Sequence, residues 1–145
     1  MLPFLYPERD ISQIDQLFPG GFMKSKKTLL FVDDETEILE ILVDLFAEDE
    51  YSLYTATRAD DALAIAEKHN IDFVLSDLKL PDASGDDLLW RIRKKNPDSI
   101  CVLTSGYLDV KYGCIQENRH DGTFYLSKPW DLMTIRQLVS ERLEQ

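Results

Sequence analysis

Two hydrophobic rhythms alternate along residues 26–145. Short apolar runs, the mark of strands buried on both faces, fall at 28–32, 73–77, 100–103 and 123–127, and 51–56 alternates as a strand would. Between them the spacing lengthens to that of a helix with one apolar stripe. Ile38, Ile41, Leu42, Leu45 and Phe46 predict a helix over 36–48, and Ala59, Ala62, Leu63 and Ala66 predict a small-faced helix ending near His69. His69 is expected there as a solvated terminal residue suited to the helix dipole. Leu88, Leu89 and Ile92 place a third helix over 86–95. Leu132, Ile135, Leu138, Val139 and Leu143 place a last one behind a capping Asp131. The stretch 108–118 reads as a poor helix, with Gly113 in its middle and few apolar anchors. Five strands alternating with helices at short spacing predict an α/β fold with a parallel sheet.

Residues 1–25 do not share this rhythm. They hold Pro3, Pro7, Pro19 and the Gly20-Gly21 pair, which punctuate loops. Asp10 with Gln13 resembles a capping box opening a short helix over 10–18, with Ile11, Ile14, Leu17 and Phe18 on one face. The expected organisation is an N-terminal extension, 1–25, that docks or dimerises, and one domain, 26–145.

Composition narrows the function class. Sixteen basic against 27 acidic side chains leave −11, which argues against direct contact with a nucleic-acid backbone. No stretch approaches the roughly 20 apolar residues of a membrane span, no signal-peptide pattern opens the chain, and two cysteines make no disulfide framework. A cytoplasmic protein without membrane contact is expected. Cys101 falls in an apolar run, as a small core residue would. Cys101, Cys114, His69 and His120 lack zinc-ligand spacing.

The strand ends carry the chemistry. In a parallel sheet with helical crossovers, all carboxyl ends meet on one rim, where open α/β sheets bind ligands. The first strand brings Asp33 and Asp34 to that rim, the third Asp77, the fourth Ser105 and the fifth Lys128. Singly, each has a plain reading: a turn aspartate, an acidic helix start, a turn serine, a surface lysine. Together, three carboxylates repel by about 4 kcal/mol per pair at 4 Å and moderate screening. A hard cation relieves that, and all-oxygen donors with room for water favour Mg²⁺. With a lysine and a hydroxyl alongside, the set is that of phosphoryl transfer to an aspartate.

These residues lie in the segments Leu-Phe-Val-Asp-Asp-Glu (30–35), Asp-Leu-Lys-Leu-Pro-Asp-Ala-Ser-Gly (77–85), Leu-Thr-Ser-Gly-Tyr (103–107) and Tyr-Leu-Ser-Lys-Pro-Trp (125–130). In order and spacing they resemble the receiver domain of two-component response regulators over about 26–145. The resemblance implies a (βα)5 doubly wound, five-stranded parallel sheet of order 2-1-3-4-5, the flavodoxin or CheY-like fold. It implies Asp77 as phosphoacceptor and Mg²⁺ bound by Asp34, Asp77 and the Lys79 backbone carbonyl, with Asp33 acting through water. Lys128 would pair with a phosphoryl oxygen, before a cis peptide to Pro129. Ser105 matches the switch hydroxyl, with Thr104 the alternative, and Tyr125 the aromatic that follows it.

The implied partners are a sensor histidine kinase or phosphotransfer protein and a downstream target or covalently linked output domain, with a homodimer possible. The implied activity is that of a phospho-switch rather than an enzyme, its chemistry confined to gaining and losing its own phosphoryl group. The alternative is a degenerate receiver kept as a binding or dimerisation module. A haloacid-dehalogenase-type phosphatase needs an aspartate two residues beyond the nucleophile, where Lys79 stands.

Overall fold

The computed structural model describes residues 26–106, 115–117 and 122–144, of which 115–117 as backbone only. The extension 1–25, with its expected helix over 10–18, lies outside the described residues, as do Cys114 and His120. Among the described residues six strands form one sheet: β1 Thr28–Val32, β2 Ser52–Ala56, β3 Phe73–Asp77, β4 Ile100–Ser105, β5 Ile115–Glu117 and β6 Phe124–Ser127. Four helices complete the description: α1 Thr36–Phe46, α2 Ala59–Lys68, α3 Gly85–Lys95 and α4 Leu132–Leu143.

The strand order is β2-β1-β3-β4-β6-β5. The first five neighbours are parallel, in the predicted order, and β5 adds an antiparallel edge against β6. This corrects the helix expected over 108–118: residues 115–117 pair as strand, and the rest of that stretch lies outside the described residues. Ile115, Gln116 and Glu117 register with Leu126, Tyr125 and Phe124, satisfying backbone groups at the open edge of β6.

Side-chain alternation splits the core into two layers. Leu29, Phe31, Phe73, Leu75, Val102, Phe124 and Leu126 point to one side, where they meet Leu39, Leu42 and Phe46 of α1 and Ile135, Leu138 and Val139 of α4. Leu30, Val32, Val74, Cys101 and Leu103 point to the other, against Ala59, Ala62 and Ala66 of α2 and Leu88, Leu89 and Ile92 of α3. The sheet is therefore covered on both faces, as uninterrupted apolar strands require. Each fully buried Leu or Phe contributes about 2 kcal/mol. The alanine face of α2 lets that helix lie close to the sheet. Arg136 of α4 forks onto Asp49 at 2.7 and 2.9 Å and donates to the Leu45 carbonyl at 2.8 Å, joining α4 to the end of α1.

Asp131 caps α4 as predicted, accepting from the Met133 amide at 3.0 Å, and Ser84 caps α3 through the Asp87 amide at 3.1 Å. Cys101 is a buried free thiol. His69 departs from expectation. Its ring is half-buried and stacks on Tyr54 with centroids 4.5 Å apart, because β2 runs beside the end of α2.

Candidate functional site

Asp33 follows the last residue of β1, and its amide donates to the Ala56 carbonyl at 3.1 Å, so the β1 ladder continues into the rim. Its buried carboxylate is held at both oxygens: the Glu35 amide donates to Oδ1 at 2.9 Å and Lys128 Nζ to Oδ2 at 3.0 Å. Lys128 also approaches Asp77 Oδ2 at 3.7 Å. One ammonium thus bridges the ends of the first and third strands from just beyond the last. The Lys128–Pro129 peptide is cis, as expected, and the Lys128 amide donates to the Ser105 carbonyl at 3.1 Å.

Asp77 ends β3. Burial is the largest influence on its carboxyl and pushes its pKa above the ordinary aspartate value. Lys128 and the Leu78 amide pull it down, but the charges of Asp33 and Asp34 add to the rise. For Lys128 the order of effects differs. Burial pulls the ammonium down, yet the Asp33 hydrogen bond and the charges of Asp33, Asp77 and Glu35 more than offset it, and its pKa rises.

The chain after Asp77 makes a compact hairpin. The Leu78 amide donates to the Thr104 carbonyl at 2.8 Å, the Leu80 amide to Ala83 at 3.1 Å and the Gly85 amide to Leu78 at 2.7 Å. Lys79 and Ser84 face each other across this bridge. Gly85 is required by a close approach: a Cβ there would lie 2.1 Å from the Asp77 carbonyl oxygen and 2.8 Å from Leu103 Cδ1. The start of α3 therefore presses directly on the end of β3.

The two neighbouring hydroxyls of β4 are separated by strand alternation. Thr104 is fully buried, and its Oγ1 accepts from the Trp130 indole at 2.6 Å. Ser105, also buried, shares its face with Leu103, which registers with Tyr125 on β6. Ser105 and Tyr125 therefore lie on one face, and Thr104 on the other.

Asp33, Asp34 and Glu35 each bring a carboxylate oxygen within 4.8 Å of the others. Asp33 is buried and the other two exposed. Hard oxygen donors, and an Asp77 carboxyl raised by burial and by neighbouring negative charge, fit a hard divalent cation such as Mg²⁺. Glu35 was not among the predicted ligands, although the acidic triple was visible in the sequence. Asp82 was missed altogether. It caps α2 from a distance, accepting from the Ala59 amide at 2.8 Å and the Asp60 amide at 2.9 Å. The available signal was negative: Arg58, just before α2, supplies no side-chain cap.

Residues 29–140 match the family model described as the response regulator receiver domain. Among curated relatives, the response regulator protein PilR of Pseudomonas aeruginosa is 30% identical over 82% of this chain and 26% of its own length. The sporulation initiation phosphotransferase F of Bacillus subtilis is 32% identical over 79% of this chain and 92% of its own. The chain thus spans about a quarter of the longer relative and most of the shorter one. Among solved structures, a CheY-like response regulator receiver domain protein from Methanospirillum hungatei superposes with a TM-score of 0.70. It is 28% identical and covers 83% of this chain and 95% of its own.

Proposed function

This chain belongs to the response regulator receiver domain family, and we propose that it is a phospho-switch whose acceptor is Asp77. The observation that carries the reading is the Lys128 ammonium held between Asp33 at 3.0 Å and Asp77 at 3.7 Å, at the rim where the strand ends converge. A positive charge fixed beside a carboxylate nucleophile is what phosphoryl transfer to that carboxylate requires.

An Asp77 oxygen attacks the phosphorus of a phosphohistidine on a sensor kinase or phosphotransfer protein. The new P–O bond forms as the P–N bond breaks, its electron pair leaving with the imidazole. Lys128 meets the transferred oxygens, and its raised pKa keeps it charged throughout the neutral range. Asp34, Asp77 and the Lys79 carbonyl would hold Mg²⁺, which supplies further charge neutralisation to those oxygens. Asp33, with both oxygens already hydrogen-bonded, suits a role through water. Glu35 adds a carboxylate within reach.

Readout follows from the two faces of β4. Ser105 lies on the face of β4 that Tyr125 shares, whereas Thr104 lies on the other and accepts from Trp130, which supports Ser105 as the group drawn toward the phosphoryl oxygens. Tyr125, on the same face, follows it. The phosphoryl group biases an existing equilibrium of this face rather than building a new one. The domain comprises residues 26–145, with 1–25 as an extension available for docking or dimerisation. It acts in the cytoplasm on a downstream protein or a linked output domain.

The test is incubation with Mg²⁺ and a small-molecule phosphodonor. A hydroxylamine-labile phosphoryl group should appear on the wild-type chain and be absent from Asp77→Ala. Equal labelling of the two chains, or none on the wild type, rejects the reading.

A further inference from the structure

The rim has a support that the site residues do not include. α2 begins without a side-chain cap of its own, and two of its first amides, those of Ala59 and Asp60, are taken by Asp82 at 2.8 and 2.9 Å. Arg58 Nη2 stands 3.8 Å from the same carboxylate. Asp82 sits at the tip of the hairpin closed by the Leu80–Ala83 and Gly85–Leu78 bonds, three residues after Lys79. The base of that hairpin is fixed by the Leu78 amide on Thr104 and by the tight seat of Gly85. Its tip is tied to the neighbouring helix by Asp82. The loop between β2 and α2 follows Ala56, the last residue of β2, whose carbonyl accepts from the Asp33 amide. One carboxylate therefore links both loops that flank the acidic cluster.

We propose that Asp82 is a positioning residue for the cation site: by fastening the hairpin tip to the first turn of α2, it fixes the Lys79 carbonyl relative to Asp34 and Asp77. The proposal rests on the reading that those three groups would hold Mg²⁺. A cap that served α2 alone would contribute stability and leave metal affinity unchanged, and the two roles separate experimentally.

Mg²⁺ alone is titrated against the full chain, following tryptophan fluorescence, since the Trp130 ring lies 5.6 Å from Lys128 Nζ. Thermal melts in chelator report stability in parallel. Asp82→Ala should weaken Mg²⁺ binding by about 10-fold, and Asp82→Asn, which keeps one acceptor oxygen, by about 3-fold, in line with residues that orient ligands. Ala64→Gly, on the exposed side of α2, should lower the melting temperature yet keep Mg²⁺ affinity within about 2-fold. Wild-type affinity in Asp82→Ala, or an equal loss in Ala64→Gly, overturns the positioning role while leaving the phospho-switch reading intact. A wild-type chain that does not bind Mg²⁺ overturns both.

Discussion

Asp77 is placed where its charge is costly before it is useful. Burial and the nearby carboxylates raise its pKa, so the folded chain holds that proton more readily than the unfolded one. The cost is present above the raised pKa and is relieved as pH falls through it. Without divalent cation, Asp77→Asn should therefore stabilise the protein at pH 7 by about 1 kcal/mol after screening at the open rim, as a denaturant titration would show. For the same reason Mg²⁺ binding, which competes with that proton, should begin to weaken on acidification at a higher pH than an ordinary aspartate would give, which Mg²⁺ titrations across pH measure. Removing the Thr104 hydroxyl has a different signature. Thr104→Val leaves the Trp130 indole N–H without its acceptor and should cost about 1–2 kcal/mol, while Ser105→Ala should impair switching. A thermal melt measures the first effect, and the change in partner binding on phosphorylation measures the second. The resemblance put Ser105 ahead of Thr104, but the bond that engages Thr104 was not legible, because the indole partner sits 26 residues away and becomes adjacent only when β6 pairs with β4.

At the scale of elements, the parts announced by local pattern were legible. Apolar runs ending in Asp33, Asp77 and Lys128 marked both the strands and the rim, since a strand buried on two faces leaves its first charged residue at its end. The cap at Asp131 was legible for the same local reason. Capping of α2 by Asp82 was not, because donor and acceptor lie 22 and 23 residues apart. Residues 115–117 also escaped, since three residues carry too little periodicity to tell strand from helix. Two outcomes test this level. Gly85→Ala should cost about 3 kcal/mol, because its methyl group meets the Asp77 backbone rather than a flexible side chain. Asp82, whose carboxyl is held below its ordinary pKa chiefly by the Ala59 and Asp60 amides, contributes stability above the unfolded aspartate value that is lost as pH falls through the folded one. The melting temperatures of wild type and Asp82→Ala should differ at pH 7 and converge in acid.

Across the whole molecule, the parallel sheet forces every crossover through a helix, and that connectivity delivers groups from distant parts of the chain to one edge. No helix among the described residues is long and apolar enough to cross a membrane. Family membership and strand order were readable because four motifs mark four strand ends in sequence. The Lys128–Asp33 contact joins positions 95 apart, and Lys128 follows directly after β6. The first carboxylates leave the ribosome long before their cation does. A nascent chain that has made β1 and β3 still lacks both the charge beside the proposed acceptor and the helix that covers one face of those strands, so competence to receive a signal should arrive only when synthesis of the domain is almost complete. Chains ending at residue 121 should gain no phosphoryl group under conditions that label the full chain, making the modification a report that the domain is whole.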